Sequence, residues 1–264
     1  MIEITSLRNP LIKLIRSLKY RKYRRKEECF WAEGTRLIME ALEKNWDIEV
    51  LVWAPSMLQN NRSKEMVTYA PVKKVSVSEQ VFYGISGRDN PLGIGAVIHI
   101  PERNLTDLVV GKDTLLVVLE EPQDPGNVGT VVRTVACAGG NGVILLGKAT
   151  DPFDPQSVRA SAATLLALPV ISSVTIADFM TWSKAHNLRL VGTSPEGEHS
   201  YRDIAYQRPL ALLLGNEQKG LSDVLWEAAD DMVRIPVKER TDSLNLAAAA
   251  AITVYQAISS FEDL

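Results

Sequence analysis

Apolar runs of about five residues alternate along the chain with stretches whose apolar positions recur every three or four. Over residues 4–18, Leu7, Leu11, Leu14, Ile15 and Leu18 fall on one stripe and predict an amphipathic helix. A short strand at Phe30, Trp31 and Ala32 runs into a helix over 33–44. Strands over 48–53, 73–77 and 95–100, with helices near 64–69 and from Ser78, complete a small α/β unit. Residues 101–112 are polar and turn-rich and predict a linker. Beyond it, strands are predicted over 114–119, 142–146, 188–193, 210–214 and 232–235, and helices over 128–138, 155–166, 176–186, 220–228 and 246–260. Continuous apolar strands, each followed by a helix, predict a mainly parallel sheet covered on both faces. The predicted division is 1–100, 101–112 and 113–264.

Composition narrows the class. With 264 residues, 46% hydrophobic and 23% charged, the chain can bury a substantial core. No apolar run approaches the ~20 residues of a spanning helix, and the N-terminal stretch lacks the apolar centre of an export signal. A cytoplasmic protein without a membrane partner is expected. Cys29 and Cys137 lie far apart, with no His or Cys at zinc-ligand spacing from either, which predicts reduced, partly buried thiols and no metal. The net charge of -3 hides an asymmetry. Arg8, Lys13, Arg16, Lys19, Arg21, Lys22, Arg24, Arg25 and Lys26 follow one another with no acidic residue between them, interleaved with Tyr20 and Tyr23. Such a field attracts a polyanion, and the tyrosines suit stacking on unpaired bases, so RNA is the predicted partner. A solvated basic helix is the plainer reading of the same run.

Three polar clusters follow apolar runs in the C-terminal half, where open α/β sheets collect ligand-binding groups. In Gln123-Asp124-Pro125-Gly126-Asn127, Asn127 is the predicted helix cap, and Val128, Val131, Val132 and Val135 form the buried stripe. Arg133 lies about 140° around the helix from Val128, facing solvent or a ligand. Gly215-Asn216-Glu217 with Gly220 mimics a nucleotide phosphate loop, but Leu221 stands where the lysine must be and Glu217 repels phosphate. No dinucleotide-binding glycine pattern follows a predicted strand. The third cluster is Ile235-Pro236 and then Ser243-Leu244-Asn245, with Ser243 as predicted cap of a helix that opens with alanines at 247–251. His99, His186 and His199 lie in none of the three.

Taken in order, these clusters resemble the SpoU (TrmH) family of the SPOUT superfamily, RNA ribose 2′-O-methyltransferases that use S-adenosyl-L-methionine. The resemblance spans about residues 114–258, with residues 158–163 and 168–170 similar to the family's second helix and strand. The N-terminal unit resembles the ribosomal-protein-like RNA-binding domain that often precedes this catalytic domain. The resemblance implies a deep C-terminal trefoil knot and a homodimer in which one chain's Arg133 approaches the other's cofactor. It implies a catalytic set of Arg133, Asn127, Glu217, Ser243 and Asn245. Thr193, Leu214, Gly215, Asn216, Gly220, Ile235, Pro236 and Leu244 are implied around S-adenosyl-L-methionine. Val237 and Glu239 depart from the family's more usual methionine and glycine. The expected reaction is ribose methylation of 23S ribosomal RNA. Transfer RNA methylation, at ribose or at a base nitrogen, and a non-catalytic RNA-binding factor retaining the fold are the alternatives.

Overall fold

The computed structural model describes residues 3–58, 60–238 and 244–261, and these form two compact units. The first contains residues 1–102 and 153–167, the second residues 103–152 and 168–264.

In the first unit, α1 (Pro10–Ser17) and α2 (Arg21–Glu27) lead into β1 (Cys29–Glu33), α3 (Thr35–Glu43), β2 (Ile48–Trp53), α4 (Asn61–Tyr69), β3 (Lys74–Ser76), α5 (Glu79–Ile85) and β4 (Ile94–His99). The sheet order is β1-β4-β2-β3, with β4 antiparallel to β1 and β2, and β2 parallel to β3. The first helix starts later than its apolar spacing predicts. Asn9 caps it and Pro10 opens it, while Ile4 pairs with Val77. Its inward face is Ile12, Ile15 and Leu18, packed with Val50, Val52 and Phe82, whereas Leu7 is exposed.

The second unit runs β5 (Leu115–Glu120), α6 (Pro125–Cys137) and β6 (Gly142–Leu146). The chain then gives α7 (Pro155–Ala160) and α8 (Thr164–Ala167) to the first unit. It returns as β7 (Val170–Val174), α9 (Ile176–Ala185), β8 (Arg189–Thr193), β9 (His199–Ser200), β10 (Leu210–Leu214), α10 (Asp223–Ala228), β11 (Asp231–Arg234) and α11 (Leu246–Ser259). The seven strands pair in the order β7-β6-β5-β10-β8-β11-β9, every pair parallel. Leu214 is level with Leu119 and Thr193, and Thr193 with Val233, so the C-terminal ends of these strands share one sheet edge. No described helix is long and apolar enough to cross a membrane.

The structure corrects three expectations here. The helix predicted over 155–166 is two helices, broken where Ala162 and Ala163 take positive φ of 50° and 81°. The segment 153–167 belongs with the N-terminal unit because Phe153 packs against Phe30 and Trp46, ring centroids 5.0 and 6.2 Å apart, and Trp46 Nε1 donates to the Leu166 carbonyl. The basic run is not uniformly solvated: Arg24 is 1% exposed and donates to the Leu18 carbonyl at 2.8 Å and to Asp154 at 3.2 Å. Asp154 also caps α7 through the Gln156 amide. Of the two free thiols, Cys29 is buried and Cys137 is exposed.

A buried guanidinium with its carboxylate partner gives a stability test. Arg24→Ala removes the guanidinium partner of Asp154 and the donor to the Leu18 carbonyl, and should cost about 3 kcal/mol in denaturant unfolding. Arg21→Ala and Arg25→Ala, at exposed positions, should stay within about 0.5 kcal/mol. Equal, small losses at all three positions would contradict the buried placement.

Candidate active site

The shared sheet edge opens into a cleft of about 640 Å³. Thr193, Leu214, Gly215, Asn216, Glu217, Gly220, Ile235 and Leu244 all line it. Its shape comes from backbone geometry. A Cβ at Gly215 would lie 2.1 Å from the Gly220 carbonyl carbon, so only glycine allows the loop to double back there. Gly220 takes φ +71°, and its backbone exchanges two hydrogen bonds with that of Asn216. Asn216 completes the turn: its Oδ1 accepts from the Gln218 and Lys219 amides, and its Nδ2 donates to the Glu121 carbonyl. The helix predicted from Gly220 therefore begins only at Asp223, after this turn. Thr193 Oγ1 is buried in the cleft wall with no hydrogen-bond partner among the described residues. A buried hydroxyl without a partner suits a polar ligand in the cleft.

Beside the cleft, three segments meet through amide side chains. Asn245 caps α11, its Oδ1 accepting from the Ala247 and Ala248 amides, which leaves Nδ2 to donate to Asn127 Oδ1 at 2.9 Å. That bond orients Asn127, whose Nδ2 donates to Glu217 Oε1 at 3.2 Å. The Gln123 and Asp124 amides donate to the same carboxylate at 3.1 and 3.4 Å. Burial alone would push the Glu217 carboxyl up. Its own backbone amide, Asn127 and the amides of Gln123 and Asp124 outweigh that and hold it below the ordinary carboxylate value. Glu217 is therefore an ionised acceptor built into the site rather than a solvent-facing side chain.

The cap of α6 is corrected. Asp124 occupies it, accepting from the Gly126 amide at 2.7 Å with Pro125 in the first helical position, and Asn127 lies one turn inside, 8% exposed. Val128, Val131, Val132 and Val135 form the buried stripe, and Arg133 is exposed. Arg133 makes no hydrogen bond or ion pair among the described residues and does not line the cleft; nor does Pro236. Ser243, the predicted cap of α11, and Glu239 lie outside the described residues; Asn245 holds that cap instead, and Val237 lines the cleft. The sequence reading missed Ser194, Pro195 and Glu196, which also line it. They form a polar turn directly after an apolar strand, the signal that marked the other clusters. Trp226, on α10, carries no such signal.

Residues 114–255 match the family model described as the SpoU rRNA Methylase family, and residues 9–96 match an MRM3-like substrate binding domain. The chain is 30% identical over 256 residues to the 23S rRNA (guanosine(2553)-2'-O)-methyltransferase RlmP of Bacillus subtilis, covering 97% of this chain and 98% of the relative. It is 29% identical over 235 residues to the 23S rRNA (uridine(2479)-2'-O)-methyltransferase of Streptomyces viridochromogenes, covering 87% of this chain and 82% of that one. Among solved structures, the SpoU methyltransferase AviRb from Streptomyces viridochromogenes in complex with AdoMet superposes with a TM-score of 0.90 at 28% identity, over 96% of this chain and 98% of that chain. The AdoMet-bound rRNA methyltransferase from Sinorhizobium meliloti gives 0.88 at 36% identity, over 97% of each. With more than half of its length matched by the family model, and with a parallel sheet whose strand ends carry the three clusters, this chain belongs to the SpoU rRNA methylase family.

Proposed function

We propose that the protein methylates a ribose 2′-hydroxyl of 23S ribosomal RNA, using S-adenosyl-L-methionine held in the cleft at the ends of β8, β10 and β11. The observation that carries this reading is the glycine-shaped cleft with its unpartnered Thr193 hydroxyl, present in a chain whose relatives are named for this reaction. Thr193, Leu214, Gly215, Asn216, Gly220, Ile235 and Leu244 would hold the cofactor, with Pro236 fixing the backbone beside Ile235. S-adenosyl-L-methionine would supply an electrophilic sulfonium methyl group: the ribose oxygen attacks the methyl carbon as the hydroxyl proton leaves, the carbon–sulfur bond breaks, and the thioether S-adenosyl-L-homocysteine is the leaving group.

Asn127, Glu217 and Asn245 keep the cleft's neighbouring segments in register, and Ser243 joins them in this reading. Arg133, exposed and without a partner in its own chain among the described residues, is assigned to the RNA. A guanidinium is a poor base but a good bidentate partner for a phosphate and a ribose oxygen, so its role is orientation. Its position off the cleft favours a homodimer in which it serves the partner's cofactor. We also read the C-terminal segment as the family's deep trefoil knot. The connection from β8 to β9 passes close over β11, the strand that lies between them, and this supports the reading: a Cβ at Gly197 would lie 2.4 Å from the Val233 backbone. Knots of this kind are rare exceptions to the rule against threaded chains. The exposed basic residues of α1 and α2 would grip the RNA backbone, and the domain division is residues 1–102 with 153–167 for binding and the remainder for catalysis.

Methylated riboses resist alkaline hydrolysis, whereas methylated bases do not protect the linkage. Incubation of 23S rRNA with the protein and labelled S-adenosyl-L-methionine should therefore yield labelled, alkali-resistant dinucleotides. Label recovered only in mononucleotides would overturn the ribose assignment. In the same assay Arg133→Ala should lose about 10²-fold in rate, with cofactor affinity unchanged. Mixing it with a Leu244→Asp chain should restore activity; a mixture as inactive as its parts would exclude cross-subunit assembly.

Glu217→Gln removes the charge that these backbone and Asn127 donors hold and should lower stability by about 1 to 2 kcal/mol at neutral pH. Because the folded carboxyl titrates below the unfolded value of about 4.3, the contribution is fully present above that value. It is lost as pH falls through the folded pKa. Denaturation curves of the two proteins should converge across that window, and a gap that stays constant through it would contradict the ionised role.

Charge removal at Arg21, Lys22, Arg25 and Lys26 should weaken binding of rRNA fragments and flatten the salt dependence. The slope of log K against log salt should fall by about 0.7 to 0.9 for each phosphate no longer neutralised. An unchanged slope would place the RNA elsewhere.

A further inference from the structure

The N-terminal unit brings together residues that the mechanism above does not use. Cys29 on β1 and His99 on β4 are directly opposite in the antiparallel ladder, and Sγ lies 3.1 Å from Nδ1. Glu49 on β2 sits at the register shift between Ile48 and Val50, an irregularity of the kind that re-aims a side chain. Its Oε2 comes within 3.9 Å of the Cys29 sulfur. Within this trio the ligand atoms all lie within 4.8 Å of one another. Asp47 stands 3.9 Å from the other ring nitrogen of His99. At this distance the contact is electrostatic rather than a hydrogen bond, and it adds negative charge beside the ring.

We propose that Cys29, His99 and Glu49 form a binding site for a borderline-soft divalent cation of the zinc class, with Asp47 adding negative charge beside it. A thiolate, an imidazole and a carboxylate are the donors such an ion prefers. Tetrahedral zinc, with bonds of about 2.0 to 2.3 Å, needs ligand atoms about 3.3 to 3.8 Å apart. Cys29 and His99 are already held near that spacing by the sheet. Glu49 is exposed, and its flexible side chain needs to move by only about an ångström to close the third position. The carboxylates of Glu49 and Asp47 place negative charge beside the sulfur and the imidazole, which favours a cation there. Binding breaks the S–H bond, releases that proton to solvent and forms one sulfur–metal bond. The His99 Nδ1 lone pair and the Glu49 carboxylate add without further proton loss.

The site ties three adjacent strands of one sheet, so the cation would brace the RNA-binding unit. It does not depend on the assigned reaction. The test uses the full chain with Cys137→Ser, which removes the exposed thiol as a competing ligand. Cobalt(II) titration should give a thiolate-to-cobalt charge-transfer band that saturates at one equivalent and is displaced by zinc. Cys29→Ser should abolish the band, and His99→Ala and Glu49→Gln should each weaken zinc binding at least tenfold. Glu49 is exposed, so its substitution reports on the ligand set even if Cys29→Ser or His99→Ala disturbs the fold. Absence of the band, its persistence in Cys29→Ser, or undiminished zinc affinity in Glu49→Gln would overturn the proposal and leave a thiol–imidazole hydrogen bond.

Discussion

The Glu217 carboxylate is the acceptor on which three segments of the catalytic unit converge. It receives the amides of Gln123 and Asp124 at the end of the first strand and the Asn127 side chain one helical turn later. Asn127 is oriented in turn by the cap of the last helix, Asn245. Hydrogen bonds to an ionised acceptor are roughly twice as strong as those between neutral groups, so a single negative charge fixes the relative positions of loops that are far apart in sequence. The charge is matched by donors on the protein. That is how an acidic side chain stays ionised at the edge of the cleft.

Much of this was legible in the sequence, for physical reasons. The strands Gly142–Leu146 and Leu210–Leu214 are buried along their whole length, and complete burial leaves an unbroken apolar run. The clusters at Gln123, Gly215 and Ile235 stood out because polar residues after such runs mark the open edge of a parallel sheet. What failed to show was decided by tertiary contact. Ala162 and Ala163 are strong helix formers in left-handed conformation, so local preference pointed the wrong way. Val170–Val174 carries two serines that interrupt its apolar pattern, and His199–Ser200 is too short to leave one. Asp124 and Asn127 are equally good caps by type. Pro125 held the deciding signal, because proline favours the first helical turn.

The charge pattern misled for a related reason, and cysteine spacing is silent on the neighbour of Cys29. Nine basic residues in succession read as a single surface, yet the helical turn directs Arg24 inward, onto Asp154 from a segment 130 residues away. The pairing of Cys29 with His99 is set by strand register, 70 residues apart. Neither partner is visible to any rule based on short spacing. Local patterns identify elements; the partners of buried polar groups are fixed only when those elements assemble.

The membership of residues 153–167 in the N-terminal unit bears on how the chain is made. Domains usually fold in order as they emerge from the ribosome, but here the contacts of Phe30 and Trp46 with Phe153, and the bond from Trp46 to the Leu166 carbonyl, cannot form until those residues have been synthesised. By then the strands Leu115–Glu120 and Gly142–Leu146 of the catalytic sheet are already out. The two units therefore cannot mature strictly one after the other, and the nascent chain must carry an unfinished first unit while it begins the second.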